Sequence, residues 1–500
     1  MSRDLSKSRF QKGLQCEKAL WLAVHRRDLA PQAGEALQWV FDQGTEVGRL
    51  AQRLFPGGVE VTEGHRQPAE ALATTRRLLA EGAAVLYEPA FGYGGAFARV
   101  DVLAAAGDGR WDLYEVKSTA RVKDEHISDA AVQAYAVEGS GLRLSTINIV
   151  HLDTSYVYQG GEYDLGRLFV VADVTEAARA FLPEVPGHLA RLLAMLEGPA
   201  PEVRIGSACT RPYECDFRAH CEAFLPTEHP VTEVPRLSEA QLHALLDAGI
   251  TCTRDIPDDF PGLTAAQREM VATVKAREPS VDVAGLVRAL DTLVWPVFHL
   301  DFETVAPALP LWPGTRPYHA VPFQYSLHIQ QEDGTVEHRE YLHSGTGDPR
   351  RPLAEQLLAD LGTSGSVLHY TPYERTQLDS LAAALPDLAD RFAAVRERLV
   401  DLAPLIRTNT RHPGAAGRSS IKYVLPAWRP DLGYADLNIA DGQVASARYL
   451  RVLRGEITGS DAERVLDDLK EYCGLDTYAM VCLLDEMRRL ASGGEGGQTP

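Results

Sequence analysis

Nowhere in its 500 residues does the chain carry an apolar run approaching the roughly 18 residues that a membrane span requires. Its first residues, Met1 to Lys7, also lack the apolar stretch of a secretory leader. The expectation is a cytoplasmic protein with no membrane partner. Basic residues are short as well: 50 Lys and Arg stand against 69 Asp and Glu, a net charge of −19. That balance argues against a protein that coats polyanions indiscriminately. It leaves open a nucleic-acid enzyme, which can confine its cations to one groove and use carboxylates to hold metals. Cysteines number seven, an odd count spread over 500 residues, which excludes a secreted disulfide scaffold. Clustered cysteines are therefore read first as metal ligands. No repeat or low-complexity block is present apart from the tail 492–500, which is expected to be disordered. What remains is ordinary globular usage, 45% apolar and 24% charged, in a chain long enough for two to four domains.

Two breaks divide it. The Pro-rich stretch Pro226 to Pro235 precedes a segment with helical apolar spacing (Leu242, Leu245, Leu246, then Met270 and Val274), and Trp295-Pro296 precedes a strand-like Val297 to Leu300. Three parts are expected: 1–225, a helical connector over 226–290, and an α/β domain over 291–491. Within the first, Phe97 to Ala104 alternates as a strand, Gly107-Asp108-Gly109 is a turn, and Trp111 to Ser118 is a second strand. A helix over Asp124 to Val137 and a strand over Thr146 to Leu152 follow.

On that hairpin Asp101 should lie beside Glu115 and Lys117, which share one strand face while Val116 faces the core. Two carboxylates and an ammonium suit metal-assisted phosphodiester hydrolysis: the acids hold a hard divalent cation and the lysine orients or deprotonates water. The alternative is a hairpin with solvated charges. With Gln133 and Tyr135 on the following helix, the arrangement resembles the PD-(D/E)XK nuclease core of the RecB type. The metal-binding His usual in that family, in a G-x-x-x-H pattern, is replaced by Gly48 in Gly44-Thr45-Glu46-Val47-Gly48, with Glu88 the candidate to complete the site.

Cys209, Cys215 and Cys221 are regularly spaced, and Cys16 lies far upstream. Structural zinc favours closer pairs but remains the competitor. Three clustered cysteines with one distant partner resemble the iron–sulfur staple of RecB-like nucleases, which implies a 4Fe–4S cluster closing the nuclease domain. Cys252, Cys473 and Cys482 show no partner spacing and are read as core cysteines.

In the third part Asp301 and Glu303 end a strand at i, i+2, pointing to one face. Val367 to Tyr370 reads as a strand running into Glu374, and Tyr472 and Asp476 share a helix face at i, i+4. In this order the motifs resemble the DEDDy exonucleases of the RNase H-like, DnaQ-type fold. The resemblance implies Asp301, Glu303, Glu374 and Asp476 as ligands of two divalent ions, Mg2+ or Mn2+, with Tyr472 positioning water. Asp379 and Asp401 are fallback ligands. Between Leu402 and Pro430 there is no acid, while Arg407, Arg411, Arg418, Lys422 and Arg429 are basic. The first four are read as a nucleic-acid-binding stretch, with Tyr318, Tyr325, Tyr423 and Trp428 as stacking surfaces. The first 27 residues are similarly basic, seven Lys and Arg against Asp4 and Glu17.

The whole chain resembles a bacterial family that joins an iron–sulfur RecB-like nuclease to a DEDD-type domain, with a connector around Leu245 to Thr251 resembling a helix–hairpin–helix element. The implied fold is α/β: a restriction-endonuclease-like domain and an RNase H-like domain. The implied function is metal-dependent cleavage of DNA, single-stranded or at ends, in repair or defence, with RNA also open. The alternatives are an enzyme with one live site whose other domain only binds nucleic acid, and a catalytically silent binding scaffold.

Overall fold

A computed structural model describes residues 4–32, 34–64, 66–415, 417–434, 437–439 and 441–493. Seven of the nine tail residues expected to be disordered, 494–500, lie outside the described residues. The chain forms two α/β units: Met1–Phe224 with Pro307–Tyr318, and Leu225–Ala306 with His319–Pro500. The stretch 226–290, read from sequence as a separate connector, thus counts with the second unit. Its Ser280–Val281 strand pairs with Thr410–Arg411, and its Leu286 is buried in the same cluster as Leu402 and Leu483. Its two main helices are Glu239–Asp247 and Ala265–Ala276, separated by a 3-10 turn at Thr253–Asp255. That separation is longer than the tight hairpin a helix–hairpin–helix element needs. Among the described residues no helix is long and apolar enough to cross a membrane.

The first unit is built on a six-stranded sheet. Its order is Val59–Glu60, Val85–Tyr87, Val102–Gly107, Arg110–Lys117, Arg143–Leu152, Phe169–Asp173. Val102–Gly107 and Arg110–Lys117 form an antiparallel hairpin, and Arg143–Leu152 runs parallel to the latter, with Glu115 opposite Ile149. The hairpin turns through Gly107, Asp108 and Gly109, all at positive φ, which glycine adopts without steric cost. The crossover between the parallel strands is the helix Asp124–Gly139, whose Ala130, Ala131, Ala134 and Val137 pack on the sheet. The single strand expected over Phe97 to Ala104 is in fact two. Ala96–Arg99 pairs with Ala90–Tyr93 and Leu5–Ser6 in a small separate sheet, and Val102–Gly107 joins the large one. Asp101 lies in the bend between them rather than on a strand.

The second unit carries a five-stranded sheet ordered Val336–Leu342, Val321–Gln330, Val297–Val305, Val367–His369, Leu399–Asp401. The first three strands are antiparallel neighbours, and the last two run parallel to Val297–Val305. Alternation divides the central strand. Phe298, Leu300 and Phe302 pack with Leu353, Leu357, Leu378 and Phe392, while Val297 belongs to the opposite core with Met480 and Leu483. Asp301 and Glu303 therefore share a face with the long helix Gly459–Ala491. Every residue of Val321–Gln330 is buried, because helices cover both its faces.

Candidate functional sites: two carboxylate centres and a thiol cluster

In the first unit, side chains from four separate segments meet. One oxygen of Asp101 accepts the Val116 backbone N–H at 2.6 Å, and one oxygen of Glu115 accepts the Gln133 amide at 2.9 Å. The other Glu115 oxygen accepts from both Lys117 and Lys7, each at 2.7 Å. Lys117 also donates to Asp129 at 2.5 Å. Burial, reinforced by the Glu115 charge, pushes the Asp101 carboxyl up to about 8. Burial opposes ionisation of Glu115 too, but Lys117 and Lys7 outweigh it and hold that carboxyl below its usual range. Lys117 stays firmly charged: burial would lower it, and Glu115 and Asp129 raise it further. Glu88, the substitute for the missing histidine, is an ion-pair partner of Arg99 at 3.5 Å, and burial raises its carboxyl while Lys7 lowers it. Gly48 has open space around it and brings no ligand.

Lys7 and Asp129 were not among the candidates from sequence. Asp129 had a signal, since it lies one helical turn before Gln133 on the same face. Lys7 had none, being 108 positions from Glu115.

Cys16 sits between the helices Lys7–Gln15 and Glu17–His25, and Cys209, Cys215 and Cys221 lie on a compact segment folded back by the Cys215 N–H to Cys209 carbonyl bond of 2.9 Å. Cys16 and Cys215 pack around Ala19, Leu22 and Phe217. All four are free thiols. Burial raises Cys209, Cys215 and Cys221, and the nearby Cys16 raises each further. Cys16, far away in the chain, therefore lies close to the three cysteines of that segment.

The second unit's centre is more acidic. Asp301 and Glu303 project from the central strand, with a register shift directly after Glu303. Pairing to the parallel neighbour ends at His299 opposite Leu368, so the helix Tyr373–Ala384 begins just beyond, bringing Glu374 to Asp301. Tyr472 and Asp476 arrive from the Gly459–Ala491 helix. Asp476 accepts the Tyr434 hydroxyl at 2.6 Å, and Lys422 donates to the Tyr472 oxygen at 3.3 Å. Burial comes first in raising every one of the four carboxyls. Asp476, Glu374 and Glu303 raise Asp301 well above the carboxylate range, Asp476 does the same to Glu303, and Glu374 reaches about 7. Asp476 is also raised, against the lowering effects of Tyr434 and Lys422.

A cavity of about 600 Å³ opens onto Asp301, Glu374 and Asp476, with Lys422, Arg407 and Asp401 on its wall. The Asp401 Oδ1 atom is buried without a hydrogen-bond partner. Buried oxygens this concentrated, one of them orphaned, fit a hard divalent cation. Cys473, read from sequence as a core cysteine, is fully buried and also contacts Asp301 at 3.7 Å, because it follows Tyr472 on the same helix. Among the described residues, one ligand atom each from Asp301, Glu303 and Cys473 lie within 4.8 Å of one another. Asp379, the other fallback, pairs with Arg396 at 2.9 Å on the surface.

The basic stretch is not a loop of free cations. Residues Leu402–Asn409 and Ile421–Trp428 are helices. Arg411 pairs with Glu269 at 2.8 Å and Arg418 with Glu233, so acids from 226–290 offset two of the charges. Lys422 turns to the acidic centre, and Arg407 has no ion pair among the described residues. Of the proposed stacking rings, Tyr325 is fully buried and bonded to Asp360, which removes it as a base platform. Tyr318 donates to the Ser118 carbonyl at 2.5 Å. Tyr423 is exposed, with the Arg418 guanidinium 4.0 Å over its ring.

Residues 298–420 match the model of a domain of unknown function (DUF2779). That span includes Asp301, Glu303 and Glu374 and stops before Tyr472 and Asp476. Among curated proteins none matches the chain.

Proposed function

We propose that the protein is a metal-dependent nuclease whose principal centre is the carboxylate cluster of the second unit. The observation that carries this is the convergence of Asp301, Glu303, Glu374 and Asp476, in which the other three acids raise Asp301 and Asp476 raises Glu303, with Lys422 as the cation among them. Such a cluster is costly unless divalent cations neutralise it. The four acids would hold Mg2+ or Mn2+, which when bound supplies charge stabilisation at a phosphoryl group and lowers the proton affinity of water. The Tyr472 oxygen already accepts from Lys422, so its own proton is left to orient a water or a phosphate oxygen. Arg407, on the cavity wall, suits an incoming phosphodiester. The strand order, three antiparallel and two parallel around the acidic strand, supports the RNase H-like reading and with it 3′→5′ removal of nucleotides.

In the first unit, Asp101, Glu115, Lys117 and Gln133 on a hairpin, crossover helix and parallel strand support a PD-(D/E)XK-like second centre. For the thiols, tetrahedral zinc would hold sulfurs about 3.8 Å apart, given Zn–S bonds near 2.3 Å. The proximity of Cys16 to Cys209, Cys215 and Cys221 supports a four-thiolate site for a 4Fe–4S cluster, with zinc the competing occupant.

The test is a 5′-labelled single strand, DNA in one arm and RNA in the other, with Mg2+ or Mn2+. A ladder of shortening products is expected, lost in EDTA and in Asp301→Ala. A ladder that persists unchanged in an Asp301→Ala/Lys117→Ala double variant overturns the assignment.

A further inference from the structure

The two carboxylates of the first unit's centre each have one oxygen committed to the protein. Asp101 Oδ2 takes the Val116 N–H, and Glu115 Oε2 takes the Gln133 amide. The oxygens left over, Asp101 Oδ1 and Glu115 Oε1, are the ones a divalent ion would use. One ammonium reaches both: Lys7 Nζ is 2.7 Å from Glu115 Oε1, which also accepts from Lys117 at 2.7 Å, and 4.0 Å from Asp101 Oδ1. From this geometry we infer that Lys7 is a built-in cation that occupies the metal position of the first unit's centre and competes with divalent ions for it. The inference rests on the reading of Asp101 and Glu115 as metal ligands.

Lys7 is not there for the sake of its helix. It is the first residue of Lys7–Gln15, after the Ser6 cap, and the first turn holds no acid. A cation at that end opposes the helix dipole. The helix is nonetheless held firmly: Leu5 pairs with Ala96, and Phe10 is fully buried. The ammonium is thus delivered to the carboxylates by a fixed element. It is also exchangeable, because Lys7 keeps 28% of its side-chain exposure and lines a cavity of about 1020 Å³ shared with Lys117, Asp129, Phe41 and Tyr213. The contrast with the second unit is direct: three acids (Asp101, Glu115, Asp129) face two lysines here, whereas in the four-acid cluster there Lys422 offsets Glu303 and Asp476. Coulomb attraction for an added divalent ion falls accordingly.

The experiment measures Mn2+ binding to the full chain by the electron paramagnetic resonance of free Mn2+, with the second centre disabled by Asp301→Ala/Asp476→Ala. Lys7→Met and Lys7→Gln should each bind Mn2+ at least about tenfold tighter than the Lys7 parent, since a neighbouring positive charge is removed. Lys7→Arg should stay weak, and adding Glu115→Gln should abolish the gain. Thermal melts identify which of the two neutral variants is folded, and either one suffices. Equal Mn2+ affinity in parent and neutral variants, with or without lost stability, makes Lys7 a structural ion pair and overturns the inference while leaving the metal centre intact. No Mn2+ binding in any variant overturns both.

Discussion

Because the second unit's acids repel one another, removing one should stabilise the metal-free protein even as it destroys the metal centre. The perturbation is Asp301→Asn, whose amide can still donate toward Glu374. The wild-type pH dependence follows from Glu374, raised from an ordinary 4.5 to about 7 by burial, against a lowering hydrogen bond with Asp301. A raised carboxyl keeps its proton in the folded state after the unfolded chain has lost it. Its cost is therefore absent below pH 4.5, grows as pH rises, and is complete above about pH 7. That gap corresponds to about 3 kcal/mol for this group alone. In a unit of this size it amounts to about 6–12 °C in melting temperature. In EDTA the wild-type transition should fall between pH 5 and pH 8.5. Asp301→Asn should lie at least about 1 kcal/mol, or 2–4 °C, above it at pH 8.5. Mn2+ should reverse the order, raising wild type and leaving the variant unmoved. The assay is differential scanning calorimetry of the full chain, following the transition that responds to Mn2+. If Asp301→Asn melts below wild type in EDTA at pH 8.5, the carboxylates do not repel one another and the cluster is not poised for cations.

Tyr472→Phe should slow the exonuclease roughly ten- to a thousandfold, as expected for one lost donor, whereas Asp476→Ala should remove it; equal losses on a 5′-labelled strand would rule out a water-positioning role for the hydroxyl. Calcium should bind the second centre without supporting turnover, which calorimetric titration and the same strand assay check together. Lys117→Ala should abolish cleavage by the first unit while leaving nucleic-acid affinity nearly intact, measured with Asp301→Ala in the background; unchanged cleavage would make that unit a binding module. Cys16→Ser or Cys209→Ser should lose iron from anaerobically purified protein and destabilise the first unit, because the cluster closes a loop of about two hundred residues; stoichiometric zinc without iron in the wild type would refute the cluster.

What could be read along the chain is what short-range geometry determines. Period two puts Glu115 with Lys117, and Asp301 with Glu303, on single strand faces, whatever the sheet around them. Period 3.6 does the same for Tyr472 with Asp476, and would have done so for Asp129 with Gln133. The α/β class of both units follows from those local patterns. Tertiary structure alone decided which faces meet. Asp101 looked like a strand residue because Phe97 to Ala104 alternates, yet the chain bends there so that two sheets can share it. The Arg411 and Arg418 charges looked free because nothing acidic is near them in sequence, and Glu269 and Glu233 reach them only through the packing of 226–290. Tyr325 looked available for stacking until helices on both sides of its strand enclosed it. Lys7 and Cys473 carried no motif at all. A contact between residues a hundred or more positions apart leaves no periodic trace in one sequence, since it depends on strand register and helix packing, and these are properties of the whole fold rather than of any segment.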